Sequence, residues 1–291
     1  MDEQHQGEQH HTDVPVDGIA VTAIGVAVIR ARETERADSL YEDPLAQNFV
    51  DAAREGFSPD RWERLSALAD QFYEGRTVGV RLVDDGVRAA SDAGVRQYVL
   101  IGAGLDTRAF RMGLPPGTVV FEIDLPETFA FKEPVLRGAQ AEPTCRRHVV
   151  VADLQGDWQT ALLDAGFQPD RPTQWVDEGT LGHLTQEWTR RVVQTLTGMS
   201  APGSRFGAGR YTTEHDSDRY RKYRQVVAGD DAPSTEPATS RLDGPDFDVE
   251  HWLGELGWAT EFHSWNEMVA PLDRNASVDD PRVGTISAIR R

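Results

Sequence analysis

The chain has 291 residues, 39% of them hydrophobic, with 48 acidic against 30 basic side chains and a formal charge of -18. Such a charge repels phosphate backbones and anionic lipid surfaces, so nucleic acid and membrane partners are not expected. No apolar run approaches the roughly 20 residues of a membrane span, no basic leader with an apolar core opens the chain, and the single Cys145 permits no internal disulfide. A soluble, cytoplasmic protein is expected, monomer or homodimer.

Residues 1–17 are polar and carry His5, His10 and His11 but hardly any apolar side chains to offset ordering entropy, which predicts a disordered tail. Those histidines lack thiol companions or a helical spacing, so no metal site is read from them. From Ile19 the apolar pattern becomes helical. Trp62, Leu65, Leu68, Ala69 and Phe72 share one face, as do Val80, Val83, Val87 and Ala90, and residues 18–95 are read as an N-terminal helical cap. Short β-prone runs then follow at 97–101, 119–123, 148–154 and 173–178, with further strands at 204–209, 260–264 and 283–289. Helices fall between them, with Asp157 and Thr185 as N-caps. This alternation predicts an α/β, Rossmann-like core over 96–291 with a mainly parallel sheet. The Pro- and Asp-rich segment 228–247 reads as a long loop, a candidate lid.

The chemistry concentrates after the first strand, in "VLIGAGLDTRAF" (99–110). Gly102 and Gly104 remove the Cβ atoms that would keep a ligand off the backbone. The third glycine of a dinucleotide fingerprint is missing, which disfavours a nicotinamide oxidoreductase, and Asp106 stands where an anion would lie. A carboxylate there suits a ligand amino group. Asp124, twenty positions beyond Gly104, ends the second strand where an acid can take ribose hydroxyls. Together these suggest S-adenosyl-L-methionine. The plain alternatives are a helix N-cap for Asp106 and a turn acid for Asp124.

"VLIGAGLDTRAFR", "FEIDLPETFAFK", "VADLQGDWQTALLDAGFQPDRPTQWVDEGTLGHL" and "ARETERADSLYEDPLAQNFV" together resemble the leucine carboxyl methyltransferase family, in its bacterial branch of S-adenosylmethionine-dependent methyltransferases. The similarity runs from about Val21 to the C-terminus. It implies the class I methyltransferase fold, a seven-stranded sheet and S-adenosylmethionine as cofactor. It further implies that Arg76 grips the methionine carboxylate, with Arg32 facing the same end. Gly102 would lie under the cofactor, Asp124 on the ribose, Asp153 and Leu154 beside the adenine, and Glu178 on the methionine portion.

After the fourth strand the chain reads "GTLGHL" where the family carries a bulky run ending in Tyr-Leu, so Thr180, Gly182 and His183 suggest a roomier, more polar acceptor pocket. His183 is the candidate general base for a hydroxyl acceptor, or an orienting group for a carboxylate, or a histidine without chemical role. The expected activity is O-methylation of a small metabolite at a carboxylate or hydroxyl, with no metal. The alternative is a binder of the same cofactor with a non-methylating role, regulatory or cyclase-type.

Overall fold

The computed structural model describes residue 14, residues 20–209 and residues 248–291. The expectations for the remaining residues of the 1–17 tail and for the 228–247 loop lie outside the described residues. The chain starts with α1 (Ala20–Thr34), α2 (Ala46–Arg54) and α3 (Pro59–Asp92). Ser58 caps α3 by accepting the Arg61 N–H, and Pro59 occupies the first turn, where its missing N–H costs nothing. The two apolar runs read from the sequence form one helix of 34 residues, continuing through Gly75, Gly79 and Gly86. Each glycine costs about 1 kcal/mol relative to alanine. Packing at both ends outweighs this: Trp62, Leu65 and Leu68 join a core with α1 and α2, while Val87 and Ala90 pack on Tyr98, Leu100, Val120 and Val176 of the sheet.

The other elements follow in order: β1 (Gln97–Ile101), α4 (Arg108–Arg111), β2 (Val119–Asp124), α5 (Pro126–Gly138), β3 (Arg146–Val151), α6 (Trp158–Asp164), β4 (Thr173–Asp177), α7 (Gln186–Gly198), β5 (Arg205–Gly209), α8 (Val249–Glu255), β6 (Trp258–Ser264), α9 (Trp265–Val269) and β7 (Gly284–Arg290). Asp157 and Thr185 do cap α6 and α7, accepting the N–H groups of Thr160 and Trp188. β3 stops before the expected residue 154, because Asp153 turns its carboxylate onto the Gln155 N–H at 2.8 Å.

Among the described residues seven strands form one sheet in the order β3-β2-β1-β4-β5-β7-β6, with β7 antiparallel to β5 and β6. Connections leave β1 to one side for β2 and β3, then return across it to β4. At such a switch point the loops diverge and open a crevice at the carboxyl ends of the strands. The core on one face joins Val99, Phe121 and Trp175 to α6, α7 and α8, with Trp175 fully buried. Trp252 is partly buried against it.

One ionic cluster ties α5 to the sheet. The fully buried Glu122 accepts from Lys132 at 2.7 Å and from two nitrogens of Arg147 at 2.9 and 2.7 Å. Removing one partner strands a buried charge. Glu122→Ala is therefore expected to lower unfolding stability by about 3–5 kcal/mol in urea titration; an unchanged midpoint would show that the cluster is energetically neutral.

Candidate functional site

Strand register places the site. Ile101 pairs with Ile123 on one side and Asp177 on the other, so Gly102, Asp124 and Glu178 emerge side by side. Asp124 pairs with Val151, which brings Ala152 and Asp153 to the same rim. Gly102 has φ of 62°, and a Cβ on it would stand 2.1 Å from Thr180 Oγ1. The Thr180 hydroxyl donates to the Gly102 carbonyl at 3.3 Å, so glycine is what lets the β4 turn close on the β1 turn. The Gly104 N–H donates to Asp124 Oδ2 at 2.6 Å, while Oδ1 accepts from the Leu125 N–H at 2.7 Å and the Thr128 hydroxyl at 2.9 Å. A carboxylate has about four lone-pair positions. Asp124 thus fixes the glycine turn and can still accept from a ligand hydroxyl.

These residues line a cavity of about 650 Å³ closed on its far side by α1 and α3. Arg76, Gly102, Gly104, Asp106, Asp124, Asp153, Leu154, Glu178 and His183 all lie on its wall. Arg32 does not: it points to Asp70, 2.6 Å away. Arg30 lines the cavity instead, because it follows Val26 by four residues on one helical face while Arg32 lies well around the helix. Arg30 is 3% exposed; it donates to the Leu105 carbonyl at 2.9 Å, and its Nε has no hydrogen-bond partner among the described residues. Its Nη1 lies 3.6 Å from the buried Asp43 carboxylate, so its charge is partnered within the protein. Gly75 and Gly79, one helical turn apart, present bare backbone to the same space, and a Cβ on Gly79 would meet nothing within 4 Å. This donor set fits an amino acid joined to a nucleoside.

Behind the wall sits a charge cluster. Arg108 reaches Asp84 of α3 at 2.7 Å, Glu178 at 2.7 Å and Asp106, and Arg111 reaches Asp84 at 2.6 Å. Burial alone would raise the Asp106 carboxyl, but the Arg108 guanidinium outweighs it and holds the pKa at about 2. Asp84 is lowered against its own burial by Arg108 and Arg111. Asp106 accepts the Arg108 N–H at 2.7 Å rather than capping α4 from the N-cap position, which Thr107 holds. Three carboxylates against two guanidiniums leave one net negative charge, and Asp106 and Glu178 carry it to the cavity. Arg76 spans from α3 to the Glu178 carbonyl at 3.5 Å.

Comparison with known proteins decides the family. Residues 23–197 match the leucine carboxyl methyltransferase family. A Parafrankia sp. (strain EAN1pec) protein named as an S-adenosyl-L-methionine-dependent methyltransferase is 42% identical over 277 residues, covering 94% of this chain and 87% of its own. The chain belongs to the leucine carboxyl methyltransferase family. A Streptomyces avermitilis relative of the same named activity is 36% identical over 96% of this chain and 98% of its own. Among solved structures, a Thermobifida fusca YX protein named as a methyltransferase superposes with a TM-score of 0.52 at 18% identity, over 96% of this chain and 97% of its own. The protein is thus an S-adenosylmethionine-dependent methyltransferase with the class I methyltransferase fold.

For this family member, sequence reasoning passed over Arg30, Arg108, Asp84 and Trp265. The i, i+4 relation of Val26 to Arg30 was a signal for the first; only folding brings the others to the site. Asp177 was also missed. Its Oδ1 accepts the Leu181 N–H at 3.1 Å and so shapes the turn carrying Thr180 and His183. Burial lifts its pKa from 3.8 to about 6, against the N–H groups of Leu181, Thr180 and Gly179, which pull it down. The folded state then holds a proton that the unfolded chain has lost, so stability falls as pH rises through this window, and the penalty is complete above about pH 6. Asp177→Asn is expected to raise stability by on the order of 1 kcal/mol at about pH 8 and to give no gain near pH 4. Thermal unfolding of both proteins at the two pH values checks the sign; a gain that grows toward acid would refute it.

Proposed function

We propose that the protein methylates a hydroxyl oxygen of a small, uncharged metabolite, with His183 as general base. The observation that carries this reading is the charge of the cavity wall. Asp106, Asp124, Glu127, Asp153 and Glu178 face the space against Arg30 and Arg76, so carboxylates outnumber guanidiniums. S-adenosylmethionine, with a sulfonium, an ammonium and one carboxylate, carries a net positive charge and suits that wall; an anionic acceptor beside it does not.

In this reading Asp124 takes the ribose hydroxyls, and Asp153 and Leu154 flank the adenine at the β3 side. Arg76 and Arg30 share the carboxylate of the amino-acid tail, while Glu178 accepts from its ammonium, and Gly102 and Gly104 let the backbone approach. Bound there, S-adenosylmethionine supplies a methyl group already activated by its sulfonium charge. The chain's own residues align the acceptor, exclude water and remove one proton. A hydroxyl must lose its proton as the new bond forms. His183 lies on the cavity wall in the turn after β4, held through its N–H on the Thr180 carbonyl at 3.0 Å.

Calorimetry separates these roles. S-adenosylhomocysteine is expected to bind the native protein and NAD is not, and Asp124→Ala should weaken the former by at least about tenfold, since hydrogen bonds to charged groups are worth roughly 1.5–3 kcal/mol. Unchanged affinity would remove the ribose assignment. With a hydroxyl acceptor, His183→Ala should lower kcat by roughly 10²-fold or more while leaving S-adenosylhomocysteine affinity within about twofold. A loss no larger than that seen with a carboxylate acceptor would reduce His183 to scaffold.

A further inference from the structure

The cavity wall follows the order of the sheet. Asp153 stands beyond β3, Asp124 ends β2, Gly102 follows β1 and Glu178 follows β4. Parallel strands lie about 4.8 Å apart, so this polar row spans about 14 Å. Opposite the strand ends the wall is apolar, with Val26 and Ile29 of α1 and Leu68 and Phe72 of α3, and Trp265 at the start of α9 brings an aromatic ring to the same space from the end of β6; His183 lines it too. The acidic lining residues all come from the segments after β1 to β4, which leaves the Trp265 side of the cavity without a carboxylate among the described residues.

Trp265 is anchored there by the segment that follows it. Its indole N–H donates to the Ala276 carbonyl at 2.5 Å. From the same segment Arg274, its side chain 4% exposed, reaches Glu33 at 2.8 Å and Asp38 at 3.1 Å, beyond the apolar face of α1. Glu33 is fully buried and also accepts from the Tyr73 hydroxyl of α3 at 2.5 Å and the Leu40 N–H at 2.6 Å. The tryptophan and the two helices opposite it are therefore fixed to one another. Ordering a large aromatic ring and clamping its loop with a buried ion pair gives this side of the cavity a set shape before any ligand arrives.

We infer that this side is the acceptor subsite, that it takes a flat, apolar alcohol of the phenol or naphthol type, and that Trp265 is the wall that selects it. The inference rests on the proposed cofactor placement, which leaves the β6 side free. A neutral aromatic alcohol gains apolar burial against Trp265 and the helices, and its hydroxyl can face His183. A carboxylate on the same ring would face the acidic row.

The test uses the native protein saturated with S-adenosylhomocysteine, whose binding is measured first so that failure of the cofactor reading shows separately. Titration with 2-naphthol is expected to show binding, and with 2-naphthoate, its anionic counterpart, binding at least about tenfold weaker. Trp265→Ala should weaken 2-naphthol at least about tenfold with S-adenosylhomocysteine affinity within about twofold, and Trp265→Phe should retain most of it. Should Trp265→Ala lose its fold by circular dichroism, Trp265→Leu takes its place with the same expectation. A loaded protein that ignores 2-naphthol, binds the two ligands alike, or is indifferent to loss of the Trp265 ring overturns the inference.

Discussion

Arg108 is buried with its guanidinium among carboxylates from three parts of the chain: Asp84 of α3, Asp106 of the glycine turn and Glu178 beyond β4. A buried cation is tolerable only when its donors are satisfied, and a planar guanidinium with five N–H groups can satisfy several acceptors where an ammonium meets them as a point charge. Each carboxylate comes from a different element around the cavity, so the position of one fixes the others. The cofactor site is in this sense built outward from a single side chain that does not itself line it. Because the carboxylates exceed the guanidiniums, the same cluster sets the negative field that a sulfonium donor meets.

α3 transmits this arrangement. Its first half belongs to the core with α1 and α2, its second half to the core on the sheet, and Gly75, Arg76 and Gly79 face the cavity between them. The glycines would be liabilities in an isolated helix. Here they keep one turn bare beside the place where a ligand must pass, and the packing at both ends keeps the helix intact. A second clamp, Arg274 on Glu33, ties the segment after β6 to the same helices. Two arginines with buried side chains therefore brace the elements that enclose the cavity.

Much of the fold was legible because it is written in local patterns. β-prone runs predicted the strands to within a few residues, and Asp157 and Thr185 announced two helix starts. The positions of Gly102 and Asp124 were legible for the same reason, since a strand followed by a glycine turn, and an acid ending the next strand, need only sequence spacing. Arg32, named by resemblance, lies off the cavity wall, because it follows Arg30 by two residues and two residues on an α-helix turn a side chain to the opposite face. Arg108 was in view inside "LDTRAFR", yet its partners Asp84 and Glu178 lie 24 and 70 positions away, and no periodicity joins them. Trp265 belongs to the same class: its relation to the site comes from the place of β6 in the sheet, not from its neighbours in the chain.

The most direct measurement of this account is S-adenosylhomocysteine affinity in Arg108→Lys, read beside amide hydrogen exchange. A lysine keeps the charge and loses the fork, so protection is expected to fall in α3 and residues 102–108 while β5 to β7 hold theirs, and affinity is expected to drop by at least about tenfold. Native affinity in a variant with native exchange along α3 would contradict the claim that one guanidinium sets the geometry of the cofactor site.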